Sequence, residues 1–408
     1  MENQQQTTDL KTQIQGAGIT IGTLISLGKS DLAEQVAQAL HAKDPTDLDL
    51  KDFYASALYR LKRQIPLAAS LALEVYHQRP REMNRLQGTS RCLMLAGRAP
   101  EAERLVREAL NVDPHSLALL IELSYMLTVQ GNFDSSLLIL RNIVAKNPNH
   151  LVAHFHIGWH DIFAGRWEEG FKKQALGRRI WIWGAHGTFP VEACWDGISP
   201  FAADHVYLIG EGGVGDQFMT FGMANALAER TKKKVVFVVR SELFAIAKRS
   251  IESANVTVVR EVPPNPSAPW VAGLEFGKMI PEGRPPFPVG SYLKPDPERV
   301  AKWKPILAAK IKGKSAGLRW SGDPNHELEP SRALPLQDVV NFAKAKPDVT
   351  FVPIYAEFEK VEMPKAENIV SLGEPIKDWE DSLAILSLLD SVVSSCTSVA
   401  HASAALGK

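Results

Sequence analysis

"HVYLIGEGGVGDQFMTFGMANALAER", residues 205–230, decides how the C-terminal half of this chain is read. A short apolar run, a turn holding Gly210, Gly212, Gly213 and Gly215, and a longer run with apolar residues at helical spacing predict strand, glycine-rich turn and helix. Turns of this build hold phosphates at the helix start, yet this one carries an acid, Asp216, where an anion would approach. A dinucleotide fingerprint would need a third glycine where Phe218 stands, and the acid expected after the next strand is replaced by Arg240 in "FVVRSE". A P-loop would need Lys and Ser or Thr after the last glycine, where Asp216 and Gln217 follow. NAD binding and ATP hydrolysis by those routes are therefore disfavoured. A tight turn presenting a carboxylate at the mouth of a cleft remains, and a carboxylate so placed can act as a general base.

Toward the C-terminus, strand-like and helix-like stretches alternate: "VYLIG", "FMTFGMANALAERT", "KVVFVV", "ELFAIAKRSI" and "VTVVREV". After a Pro-rich passage from Pro263 to Pro297 come "SAGLRWSG", "LQDVVNFAKAK", "VTFVPIY", "NIVSLG", "DWEDSLAILSLLD", "SVVSS" and "TSVAHASAALG". That alternation implies parallel sheets with crossover helices in two Rossmann-like halves, 205–300 and 301–408, meeting at a cleft. Ligands of such sheets bind beyond the carboxyl ends of the strands. There, Thr397 and Ser398 fall at a helix N-terminus directly after a strand, where hydroxyls and free amides make an anion site. His401 follows one turn later on the same face and can add a donor to a diphosphate. "SAGLRWSGDPNH" brings Arg319, Ser321 and Asn325 to the same edge, and "PSRALPL" adds Arg332.

The N-terminal part has a period. Pro45, Pro80, Pro114 and Pro148 are spaced by 35, 34 and 34 residues. Gly28, Gly97 and Gly131 each precede a proline of that series by 17 residues, and Gly165 keeps the phase. Ala33, Ala68, Ala102, Ser136 and Gly170 form a third series in register. Physically this is a helical hairpin: glycine at the turn, a small residue where two helices cross closely, and proline ending the second helix. The pattern resembles tetratricopeptide repeats of about 34 residues. Five are expected over residues 12–182, the second with Arg63 at the turn-glycine position and the fifth with Ile182 in place of its proline. Trp167, Phe171, Ile180 and Trp181 are expected to seal the last hairpin against the next domain, and 183–204, rich in Gly and Pro, reads as a linker. A solenoid of this kind presents a groove and performs no chemistry by itself, so it is expected to hold a protein partner or brace the domain after it.

Composition narrows the function classes. Among 408 residues, Lys plus Arg equals Asp plus Glu at 46 each, so no overall field draws the chain to nucleic acid. No uncharged apolar run approaches the roughly 20 residues that cross a bilayer, so no transmembrane segment is expected. A cytoplasmic chain is implied, with peripheral attachment at the inner membrane compatible with it. Cys92, Cys194 and Cys396 are far apart, which implies neither disulfides nor a zinc site. No metal is expected: the only DxD, Asp47-Leu48-Asp49, lies among the repeats and reads as a solvated loop.

"GRWEEGF", "CWDG", "EGGVGDQFM", "YLKPDPERVAKW", "GLRWSGDPNH", "SRALPL" and "TSVAHASAALGK" occur in an order and spacing that resemble a bacterial tetratricopeptide-repeat protein with a heptosyltransferase-type (glycosyltransferase family 9) C-terminal part. The resemblance implies an α-helical repeat solenoid followed by twin α/β Rossmann domains of the GT-B kind, and a glycosyltransferase. It implies transfer from a nucleotide diphosphate sugar to a hydroxyl on a glycan, a lipid-linked glycan or a protein, inverting and without metal or other cofactor. In it, Asp216 in the Gly213-Val214-Gly215-Asp216 turn removes the acceptor proton, and Thr397, Ser398 and His401 bind the donor diphosphate, with Arg319 carrying part of its charge. Two departures stand out. Cys396 replaces an Asp usual before the TSxxH segment, and the second Rossmann half, ending at Lys408, reads as incomplete. The alternative is a non-catalytic repeat scaffold whose transferase-like domain is degenerate.

Overall fold

The computed structural model describes residues 2–27, 29–79, 83–178, 191–261, 268–279, 290–323, 326, 329–355 and 362–408. The chain divides into two compact units, Met1–Ala153 with Asp323–Ser331, and His154–Gly322 with Arg332–Lys408.

The first unit is a TPR-like helical solenoid. Its helices run in pairs: α1 (Glu2–Ser26) with α2 (Ser30–His41), α3 (Leu48–Leu61) with α4 (Ile65–Gln78), α5 (Met83–Leu95) with α6 (Ala99–Val112), and α7 (Leu117–Val129) with α8 (Phe133–Lys146). Ala33, Ala68, Ala102 and Ser136 are all wholly buried, because the two helices of a hairpin leave no room for a larger side chain at the crossing. Gly97 and Gly131 take φ of 76° and 77°, and each is flanked by one repeated pair of bonds. Arg98 N–H donates to Leu93 O at 2.8 Å and Gly97 N–H to Met94 O at 3.0 Å, while Asn132 and Gly131 do the same to Leu127 O and Thr128 O at 2.9 and 3.0 Å. This is a Schellman C-cap recurring with the period.

In the second hairpin the left-handed turn residue is Lys62 (φ 55°), one position before Arg63. Lys62 N–H donates to Tyr59 O and Arg63 N–H to Leu58 O, reproducing the same motif. The expectation that Arg63 stands in for the glycine is thus corrected: the second hairpin holds an extra residue, which also explains why Pro45 and Pro80 are 35 apart. Asp47 of the DxD is the N-cap of α3, its carboxylate accepting from Asp49 and Leu50 N–H, and Asp49 pairs with Arg79. That acid pair is structural.

The second unit begins with the hairpin of α9 (Leu151–Phe163) and α10 (Trp167–Arg178). Gly158 and Gly170 face each other here, and a Cβ on Gly170 would lie 2.8 Å from Ile162 N. Strands β1 (His205–Ile209), β2 (Lys234–Val238), β3 (Val256–Val259) and β4 (Trp270–Ala272) form an all-parallel sheet in the order β3-β2-β1-β4. Helix α11 (Val214–Thr231) joins β1 to β2, α12 (Phe244–Ile251) joins β2 to β3, and α13 (Phe276–Met279) and α14 (Pro297–Lys310) follow β4. A second parallel sheet, ordered β6-β5-β7, is built from β5 (Lys314–Arg319), β6 (Val349–Pro353) and β7 (Ser391–Ser394). Its helices are α16 (Leu336–Lys344), α17 (Trp379–Leu388) and α18 (Ser398–Ala405), while α15 (Glu329–Arg332), between β5 and α16 in the chain, has its first three residues in the first unit.

Val and Phe dominate β2 and Val dominates β3, and β1 is apolar after its first residue, as strands covered by crossover helices require. "NIVSLG" is not a strand: Ile369 makes only an isolated bridge to Phe351. The short β4 goes beyond the expected strands. One apolar core joins both sheets, including Phe171 of α10, Phe218 and Phe221 of α11, Trp303 of α14 and Leu383 of α17. Phe171 meets Phe276 edge-on at 6.0 Å, which attaches the α9–α10 hairpin to α13. Trp167, expected in that seal, is 41% exposed. Ile180, Trp181 and Ile182 lie outside the described residues. Among the described residues no helix is long and apolar enough to cross a membrane.

Candidate functional site

Parallel order puts the carboxyl ends of β1, β5 and β7, and with them the glycine turn and the start of α18, where a ligand of a doubly wound sheet sits. The turn and the helix start touch. Gly215 N–H donates to Ser398 Oγ at 3.1 Å, and a Cβ on Gly215 would fall 2.6 Å from His401 Cδ2 and 3.1 Å from Ser398 Cα. Only glycine permits that approach. Asp216, the next residue, lies near enough for its charge to act on His401.

Asp216 is half-buried at the third position of α11, and its Oδ2 accepts from Gly213 N–H at 2.7 Å. The carboxylate thus satisfies one of the donors left over at the helix start. His401 is held below its ordinary pKa by burial, opposed in part by the Asp216 charge. At neutral pH its imidazole is uncharged, so it would serve an anion as a hydrogen-bond donor and not as a cation.

Thr397 is the N-cap residue of α18, but its hydroxyl makes no cap hydrogen bond; Oγ1 lies 3.0 Å from Ser394 Oγ instead. The leading amides of α18 are left without a side-chain cap. Ser398 Oγ accepts from Gly215, which leaves its O–H to donate. Ser395 Oγ, one residue past β7, is buried without a hydrogen-bond partner. Cys396 is exposed on the same turn.

The β5 residues have other engagements. Arg319 donates from Nε to Ser321 O at 2.6 Å and from Nη1 to Ile354 O at 2.9 Å, and its guanidinium lies 3.8 Å from the centre of the Tyr355 ring. Ser321 is bonded through N–H and Oγ to Tyr355 Oη, at 2.8 and 3.0 Å. Both residues hold the β5 and β6 ends together, and this accounts for them without a ligand. Arg332 is half-buried at the end of α15, and Asn325 lies outside the described residues.

Glu211 escapes the reading of the sequence. Its side chain is 2% exposed inside the glycine turn, and Oε1 accepts from Leu274 N–H at 2.8 Å, tying the β1 turn to the loop after β4. An acid set among the glycines just after a buried strand, between Gly210 and Gly212, is the available signal. Tyr355, clamped between Arg319 and Ser321, reads in the sequence only as the end of a strand.

No protein-family model matches the chain, and no curated protein matches it. Among solved structures the chain is similar to a MamA RS-1 ArsTM double mutant, at 13% identity and a TM-score of 0.33, over 41% of this chain and 96% of that one. It is similar to TTC0263, a thermophilic TPR protein of Thermus thermophilus, at 16% identity and a TM-score of 0.32, over 40% of this chain and 90% of that one. A third is MamA, residue 41 to the end, from Desulfovibrio magneticus RS-1, at 13% identity and a TM-score of 0.33, over 41% and 97% of the two chains. The repeat architecture of this chain rests on its own recurring C-caps and buried small residues.

Proposed function

We propose that the α/β unit is a glycosyltransferase of the GT-B kind, moving a sugar from a nucleotide diphosphate sugar to a hydroxyl, and that the repeats hold a protein partner. One observation carries the catalytic part: the start of α18, uncapped by Thr397 and furnished with Ser398 and a neutral His401, lies against the turn that carries Asp216. In this reading the α18 amides, the Ser398 hydroxyl and the His401 N–H receive the diphosphate, and they stabilise charge as it leaves. Asp216, on the side of the first sheet, removes the acceptor proton. Arg319 steadies the β5 edge through backbone carbonyls rather than touching the donor.

A specific observation favours a second reading, a repeat scaffold without catalysis. Asp216 already caps α11, Ser398 already bonds Gly215, and Arg319 is already bonded to carbonyls. Protein binding alone would account for the solenoid.

Calorimetry on the full chain separates the two. With UDP, GDP and ADP, the transferase reading expects one nucleotide to bind, and His401→Ala to weaken it by about 1 to 3 kcal/mol, the cost of losing a hydrogen bond to a charged group. The corresponding nucleoside, lacking phosphates, keeps whatever affinity it has. Equal losses for nucleotide and nucleoside would remove the diphosphate assignment, and no binding at all would leave the scaffold.

A further inference from the structure

The outer face of α12 forms an open groove of about 790 Å³ with Phe244, Ala245, Lys248, Arg249, Glu252, Ser253 and Arg260. It lies apart from the α18 start, on the side of the sheet edged by β3. Three of its seven lining residues are cations and one is an acid. Their partners divide them. Arg249 is paired with Glu380 and donates from Nε to Lys294 O at 2.8 Å, so it fastens α12 to the second sheet's side of the unit. Lys248 is more than half exposed, and its nearest acid is Glu252 at 3.8 Å, too far for a hydrogen bond. Arg260, at the carboxyl end of β3, stacks its guanidinium 4.3 Å from the centre of the Phe244 ring, and Lys248 Nζ lies 6.0 Å from that ring.

Stacking on Phe244 restrains the Arg260 guanidinium through its π-face, a contact that does not consume its N–H donors. A stacked guanidinium fork and an exposed ammonium lining one groove are the chemistry that recognises a phosphate: two N–H donors take two oxygens, and the point charge neutralises a third. We propose that this groove is a second anion site, independent of α18, for the phosphate of a phosphomonoester or diphosphate, with Arg260 and Lys248 as its ligands and Phe244 as the platform that orients Arg260. The phosphate could be carried by a soluble molecule or by a lipid headgroup; the groups recognising it would be the same.

Pyrophosphate titrated calorimetrically into the full chain is the probe, in the unsubstituted protein and in His401→Ala, so that the groove is read apart from α18. Binding should persist in His401→Ala and weaken about 10- to 100-fold when Lys248→Ala and Arg260→Ala are added, the loss expected for charge-assisted bonds. Phe244→Ala, which removes no charge, should weaken it by about 2- to 5-fold. All three side chains line the surface, and circular dichroism confirms the fold of each variant. Sedimentation with phosphatidate-containing against pure phosphatidylcholine vesicles distinguishes the source: retention on phosphatidate alone, lost in the double variant, assigns a lipid phosphate, whereas a response to pyrophosphate alone assigns a soluble one. If the double variant binds pyrophosphate and phosphatidate vesicles as the unsubstituted chain does, the groove is not an anion site, whatever becomes of the site at α18.

Discussion

Asp216→Asn should leave the chain folded, with nearly unchanged affinity for a nucleotide diphosphate, while lowering sugar transfer by about 10² to 10⁴, the usual worth of a general base. The fold survives because an amide oxygen can accept from Gly213 N–H as the carboxylate does, and Asn caps helices about as well as Asp. The donor survives because its contacts belong to α18. Only the proton acceptor is lost. The same substitution has a readout that needs no substrate: the Asp216 charge now raises the His401 pKa against the larger effect of burial, so His401 should titrate at still lower pH in the variant, measurable by NMR. A variant that transfers at full rate would leave Asp216 as a cap and nothing more.

Asp381→Ala should cost about 1 to 3 kcal/mol of stability, read by denaturant unfolding, because it leaves the buried Trp303 Nε1–H without its acceptor and Arg299 without its partner. Asp381 is wholly buried at the start of α17. Its Oδ1 accepts from Trp303 Nε1 at 2.8 Å and Arg299 Nη1 at 2.9 Å, Lys302 lies 3.7 Å away, and Oδ2 accepts from Lys377 N–H at 3.1 Å. These contacts clamp α14 against α17 across the core shared by both sheets. Burial alone would raise the Asp381 pKa, but the Trp303 and Lys377 bonds and the Lys302 and Arg299 charges outweigh it and hold the group below its ordinary value. A carboxylate depressed in the folded state contributes stability that is present above its unfolded pKa of about 3.9 and is lost as pH falls through the lower folded value. Asp381→Asn should therefore lose less stability on acidification below about pH 4 than the unsubstituted chain; an unchanged acid limb would mean that other carboxylates control it.

The parts of the fold governed by local rules are legible in the sequence. Glycine, proline and small residues at fixed phase report directly on turns and helix crossings, and the buried Ala33, Ala68, Ala102 and Ser136 follow from them. Strands β2, β3, β6 and β7 announce themselves by β-branched runs, β1 by an apolar one, and β5 by its place in the alternation of strand-like and helix-like stretches. The three-residue β4 carries too little pattern to be seen, and "NIVSLG" has strand composition without a full pairing partner. The one-residue error at Arg63 arises because Lys62 adopts a left-handed conformation that side-chain chemistry does not advertise.

The site is legible as a set of residue types and much less as a set of contacts. Nothing in "EGGVGD" or "TSVAH" says that Gly215 packs on His401, since the two are 186 positions apart and meet only through tertiary folding. Nor does composition show that Arg319 is bonded to Ser321 and Ile354 carbonyls, because backbone acceptors are invisible to a reading by side chains.

The central claim, that the α/β unit transfers a sugar, is tested most directly by incubating the full chain with a panel of nucleotide sugars and glycan, lipid-linked glycan and protein hydroxyl acceptors, and following release of the nucleotide diphosphate together with the glycosylated product. Release and product are expected in equal amounts for at least one donor, with both lowered by about 10² to 10⁴ in Asp216→Asn. Nucleotide binding without transfer to any acceptor, at the same level in the unsubstituted chain and in Asp216→Asn, would contradict it and leave a repeat scaffold with a nucleotide-binding unit.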